Sequence, residues 1–204
     1  VTYTGNGGTQ SITGVGFSPD LVWLKGRSEG GRSHSLYDTV RGASRVLKSD
    51  ATDAETGMPG VTSFRPDGFD LGDHVNSNNN DVDYIAWCWN AGDATVENTD
   101  GNRTSQVRAN PATGFSVVTG SQSADNTVST FGHGLGAEPK IIFLKRTHGI
   151  EDWYVYHKEL GNSSRIQLNS SAALVTGTNV WNSTTPTSSV FTIRAFNAGD
   201  FVAY

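Results

Sequence analysis

The chain has 204 residues, a formal net charge of −5 and one cysteine, Cys88, which excludes an intrachain disulfide, a multi-cysteine zinc site and the basic footprint of a general nucleic-acid or anionic-membrane binder. Hydrophobic residues make up 35% and 24 residues are glycine, together an ordinary globular apolar share of ~45–50% that excludes a disordered chain. Mean hydropathy is −0.39, no apolar run approaches the ~18–20 residues of a membrane span, and no basic-then-apolar opening marks a signal peptide.

The apolar residues fall in short runs rich in β-branched and aromatic types, which predict strands. In chain order these are Asp20 to Lys25, Asp83 to Trp89, Lys140 to Lys145, Trp153 to His157 and Ser189 to Arg194. Clusters of Gly, Asn, Asp, Ser and Pro lie between them, as turns require. Helical signals are scarce: Leu36 to Gly42 forms one turn at most, and Asp53 to Thr56 is a second candidate. The fold class expected is all-β.

An internal repeat organises the chain. Pro19-Asp-Leu-Val-Trp-Leu-Lys25 matches Pro139-Lys-Ile-Ile-Phe-Leu-Lys145. Tyr37 matches Tyr156, Arg45-Val46 matches Arg165-Ile166, Phe69-Asp-Leu71 matches Phe191-Thr-Ile193, and Tyr84-Ile-Ala-Trp87 matches Phe201-Val-Ala-Tyr204. Near the start, Tyr3-Thr-Gly5 is paired with Val118-Thr-Gly120. The order is kept, and the spacing drifts by only a few residues. The expectation is two tandem copies of one antiparallel, jelly-roll-like β-sandwich, residues 1–92 and 113–204, joined by a polar linker, 93–112. From Val rather than Met at position 1, and from the unequal ends of the two copies, the expectation is an excerpt of a longer polypeptide.

Several patterns carry residue types suited to chemistry. Gly26-Arg-Ser-Glu-Gly30 fits the G-x-S-x-G of a nucleophile elbow, with Ser28 as nucleophile, but a helix must follow and a turn and strand are predicted instead. Ser33, His34, Ser35 and Asp38 include the types of a triad, yet neighbours on a strand face opposite ways. Gly5-Asn-Gly-Gly8 and Gly132-His-Gly-Leu-Gly136 lead to strands, whereas a phosphate cradle leads into a helix N-terminus. Asp73 to Asp83, with Asn76, Asn78, Asn79, Asn80 and Asp81, is oxygen-rich enough for calcium but lacks EF-hand spacing; a solvated hairpin tip is expected, with a shorter counterpart near Ala195 to Asp200. His34, His74, His133, His148 and His157 form no H-x-x-x-H pair, and His157-Lys-Glu159 lacks the cysteine pair of a deaminase zinc motif. Asn102, Asn162, Asn169 and Asn182 open N-x-S/T triplets that arise by chance in so polar a chain. No catalytic, cofactor-binding or metal-binding residue is assigned, and none for a receptor. Of the aromatics, Trp23, Trp87, Phe143 and Tyr204 are expected in the cores, while Trp153, Trp181 and Tyr156 are less constrained by the pattern and leave room for one of them to face solvent.

Four segments occur together in order: Phe17 to Lys25, Ser35-Leu-Tyr-Asp-Thr-Val-Arg-Gly42, Ser63-Phe-Arg-Pro-Asp-Gly-Phe-Asp-Leu-Gly72 and Tyr84-Ile-Ala-Trp-Cys-Trp-Asn90. They resemble a domain of virion structural proteins of tailed bacteriophages, above all marine phages and cyanophages, found in fibre and appendage proteins and often in tandem. The resemblance covers most of 1–92 and is weaker in 113–204, where Val155-Tyr-His-Lys-Glu-Leu-Gly161 replaces the Leu-Tyr-Asp-Thr-Val-Arg-Gly segment. It implies a non-enzymatic, extracellular particle-surface protein: a tail-fibre, head-fibre or capsid-decoration component. Its partners would be other virion proteins, further copies of itself (a trimer by analogy) and a host-surface glycan or protein, with no nucleic acid, membrane insertion or cofactor. The rivals are a carbohydrate-binding module of a secreted or surface protein and, last, a hydrolase using Ser28.

Overall fold

The computed structural model describes residues 1–177, 179–194 and 197–204. The described chain is 43% strand and 3% helix, built into several antiparallel sheets, none of them a closed barrel. It divides into two compact units, Val1–Asn90 and Ala91–Tyr204.

The first unit contains β1 (Thr2–Thr4), β2 (Gln10–Thr13), β3 (Leu21–Gly26), β4 (Ser35–Asp38), β5 (Arg45–Lys48), β6 (Thr56–Gly57), β7 (Val61–Arg65), β8 (Gly68–Leu71), a four-residue helix α1 (Val75–Asn78) and β9 (Asp83–Trp89). One sheet runs β1-β9-β3-β4-β5-β6 and the other β2-β8-β7. Strand alternation turns Val22, Leu24, Tyr37 and Ala86 of the larger sheet into one core with Ile12, Phe69 and Leu71 of the smaller.

The second unit contains β10 (Val96–Asn98), β11 (Ser105–Asn110), β12 (Phe115–Gln122), β13 (Ser129–Gly132), β14 (Ile141–Arg146), β15 (Tyr154–His157), a 3-10 turn (Lys158–Leu160), β16 (Ser164–Gln167), β17 (Val175–Thr176), β18 (Val190–Ile193) and β19 (Gly199–Ala203). Its sheets run β10-β11-β12-β19-β14-β15-β16-β17 and β13-β18, and Phe131 and Phe191 of the smaller meet Leu144 and Phe201 of the larger in its core. From β12 onward, the larger sheet repeats the strand order of the first unit.

The five strands expected from apolar runs are β3, β9, β14, β15 and β18, each within a residue or two. Residues 93–112, expected as a linker, instead carry β10 and β11; Val107 of β11 is buried in the second core, so polar alternation concealed a half-buried strand. Leu36 to Gly42 is strand β4 followed by a single turn closed by Gly42 N–H to the Asp38 carbonyl at 3.0 Å. The candidate helix from Asp53 to Thr56 is extended chain entering β6.

Most of the repeat pairs fall at matching registers. Val22 stands opposite Tyr37 and Ile142 opposite Tyr156; Lys25 stands opposite Ile85 and Lys145 opposite Val202. Two pairings are corrected. Ile166 stands opposite Val155 as Leu47 stands opposite Leu36, so the ladder aligns Val46 with Arg165 and not with Ile166. Tyr3 lies opposite Tyr84, and the residue opposite Phe201 is Gly120, not Val118. The aromatic mass has moved between strands. In the first unit Tyr3 stacks on Tyr84 with ring centroids 5.2 Å apart, while Ile12 faces Phe69. In the second, Phe131 faces Phe191 and packs on Phe201 at 4.7 Å, in space that a β-carbon on Gly120 would enter, 2.9 Å from each of the Phe131 and Phe201 rings.

Candidate functional site

Polar side chains that the sequence offers for chemistry are committed to backbone. Ser28, in the turn after β3, accepts the Asp83 N–H on its Oγ at 2.8 Å. Asp38 is buried; its Oδ1 accepts the Val40 and Arg41 N–H groups at 3.0 and 2.8 Å, and its carboxylate pairs with the buried Arg41 guanidinium. Arg41 also reaches Glu55 at 2.8 Å and the Leu36 carbonyl. The matching turn of the second unit uses His157, whose Nδ1 accepts the Glu159 N–H at 3.2 Å. Ser35 is buried, and His34 Nδ1 accepts the Trp23 indole N–H at 2.8 Å. No Ser–His–Asp chain forms among these residues.

The Asp73 to Asp83 run is not a solvated hairpin tip. It folds into α1, with Ser77 and Asn78 buried. Asn78 accepts the Asn6 N–H at 3.0 Å and donates to the Gly8 and Gly72 carbonyls at 2.7 and 2.8 Å. This clamp explains the first glycine cluster: a β-carbon on Gly5 would sit 2.1 Å from the Asn79 carbonyl. Of its counterpart near Ala195 to Asp200, Ala195 and Phe196 lie outside the described residues. Among the described residues no group of three or more His, Cys, Asp and Glu side chains is placed to hold a metal ion. The second glycine cluster carries buried His133, whose Nδ1 accepts the Leu135 N–H and whose Nε2 faces the Thr187 carbonyl, both at 3.2 Å.

Of the N-x-S/T asparagines, Asn102 accepts the Thr130 N–H and Asn169 the Trp153 N–H, both at 2.8 Å. Asn162 and Asn182 bond Thr185 and Thr184 hydroxyls. Burial pushes the Cys88 thiol up to about 11, out of the reactive thiolate range.

The aromatic assignment is corrected. Trp153, Trp181 and Tyr156 are buried, at 0%, 1% and 1% exposure, and Trp87 is 41% exposed. Alternation supplies the reason. Val22 and Leu24 point into the core, so Trp23 points out, and register puts Trp87 opposite Trp23 and Trp89 opposite Leu21 on that outer face. Trp23 lies 6.2 Å from Trp87 and 6.4 Å from Trp89, ring centre to ring centre. Thr2, Thr4 and Asp83 continue the face along β1 and β9, with Thr4 Oγ1 bonded to Asp83 at 2.8 Å. This outer face is the candidate site. Repeat matching found the positions of Trp23 and Trp87, but equated matching with burial; strand parity was the signal that separates the two. In the second unit the same face carries Phe143, Tyr204 and the buried Trp153, which stacks on Tyr204 at 6.3 Å.

Fold and site together define an all-β protein with an outward aromatic face. Residues 1–204 match a family described as a domain of unknown function (DUF7483), and the chain belongs to that family. Neither a curated protein nor a solved structure matches it. No helix among the described residues is long and apolar enough to cross a membrane.

Proposed function

We propose that the two units are copies of one antiparallel, jelly-roll-like β-sandwich, and that the chain is a bacteriophage virion structural protein: a tail-fibre, head-fibre or capsid-decoration component that works by assembly and host-surface attachment, without catalysis. The observation that carries the reading is the use made of the polar residues. Ser28, Asp38, Asn78 and His157 spend their hydrogen bonds on the backbone of turns, which stiffens loops instead of presenting reactive groups. The repeated strand order supports it, since a particle surface gains avidity from repeated weak contacts, and so does the resemblance of the four ordered segments to phage appendage proteins. Other virion proteins and further copies of the chain are its partners, and the particle surface is its location. Immunogold labelling of purified particles tests the assignment: decorated virions are expected, and unlabelled virions containing no peptides of this chain by mass spectrometry reject it. A fluorophosphonate probe is expected to leave Ser28 unlabelled; labelling there would revive the hydrolase.

The exposed Trp87 favours one second reading, a carbohydrate-binding module. An exposed indole on the same sheet face as Thr2, Thr4 and Asp83 offers both stacking and hydrogen bonds to a glycan. Under that reading the chain binds glycans monovalently on an array, and Trp87→Ala abolishes binding; a monomer without glycan affinity contradicts it.

A further inference from the structure

We propose that His34 is a proton-operated latch on the outer aromatic face of the first unit. The inference stands on the geometry of that face and on neither reading of function. An indole nitrogen only donates, so the 2.8 Å contact from Trp23 Nε1 to His34 Nδ1 requires a lone pair on Nδ1 and puts the neutral ring's proton on Nε2. The two rings meet edge to face at 5.8 Å. Both other tryptophans of the face, Trp87 and Trp89 of β9, pack beside this same indole. When Nδ1 takes a proton from solvent, two N–H groups confront each other. The bond is lost, and with it one of the contacts that orient Trp23 against its neighbours.

The surroundings set the latch to open as pH falls below the ordinary imidazole value. The charged groups facing the ring are Asp50, from the turn after β5, and Lys25 of β3. Asp50 Oδ1 accepts the His34 N–H at 3.1 Å and favours the protonated ring; Lys25, its ammonium tethered to the Arg32 carbonyl, opposes it. Partial burial, the largest influence, acts with Lys25 against Asp50 and holds the imidazole below its ordinary value of 6.5. At neutral pH the latch is therefore closed. The second unit has no equivalent, because Trp153 occupies the corresponding position and stacks on Tyr204.

The test is nuclear magnetic resonance of the full chain, following the Trp23 indole N–H and the His34 ring nitrogens in one sample as pH falls. Trp23→Phe assigns the indole signal. The indole resonance is expected to move with the His34 midpoint, below pH 6.5, and its exchange with water to quicken about tenfold as the bond opens. His34→Asn keeps an acceptor oxygen at the δ position without a titrating ring and should hold the Trp23 signal constant over that range. Asp50→Asn should lower the midpoint. A Trp23 signal that stays fixed while His34 titrates, or that moves equally in His34→Asn, overturns the proposal. His74 and His133 also titrate low because of burial, but neither bonds Trp23, so the indole signal separates them from the latch.

Discussion

Asn78 joins the Asn6–Gly8 loop to Gly72 from the end of α1. Truncation strands buried backbone donors and acceptors, so Asn78→Ala should cost about 2–4 kcal/mol in urea unfolding. Wild-type stability in that variant would contradict the clamp. Arg41 is the second such residue. Arg41→Ala removes the guanidinium that pairs with the buried Asp38 carboxylate, and should cost about 3–5 kcal/mol by the same measurement. The corresponding turn of the second unit has solved the same problem without a buried ion pair: His157 caps the turn and Leu160 stands where Arg41 does. Neither role was legible in sequence. Asn78 sits in a run of asparagines whose average character is that of a solvated loop, and nothing in the letters separates the one buried amide from its exposed neighbours.

At the level of elements, hydrogen-bond register decides what letter matching leaves ambiguous. The β3–β9 and β14–β19 pairs align as the repeat predicts, because their apolar residues recur in identical order. For β1 and β12 there is only a Thr-Gly to match on. Letter similarity pairs Tyr3 with Val118, while the ladder pairs it by position with Gly120. The substitution makes sense once both neighbouring strands are seen: aromatic bulk from β1 in one unit comes from β13 in the other. This exchange predicts energetic coupling. Gly120→Ala should cost about 1–3 kcal/mol in the native background and less beside Phe131→Ile, a coupling of about 1 kcal/mol in a double-mutant cycle. Strictly additive costs would contradict it. The strands themselves were readable wherever apolar residues ran together, whereas β11 was missed because it buries only alternate residues at its start and β10 because it buries none. The same parity explains the tryptophans: residues at matched repeat positions lie on matched faces, and the matched face here is the outer one.

For the molecule as a whole, three histidines tie stability to pH. His34, His74 and His133 are held below 6.5 in the fold by burial. Their neutral forms suit the native state, so stability is complete above the ordinary imidazole value and declines as pH falls through the lowered ones. The melting temperature should therefore be level from neutral pH upward and drop on acidification, less steeply in His133→Asn; a profile unchanged by that substitution would show that its buried ring contributes nothing. The outline of the fold was legible because turn residues and short apolar runs alternate along the whole chain. The outer aromatic face was not, since it depends on which strand lies beside which. The central claim, that this chain is duplicated architecture on a virion, is tested most directly by a cryo-electron-microscopy map of the assembled particle. The account predicts two like β-lobes of this chain exposed on a fibre, appendage or capsid surface; a particle with no density for it would contradict the account.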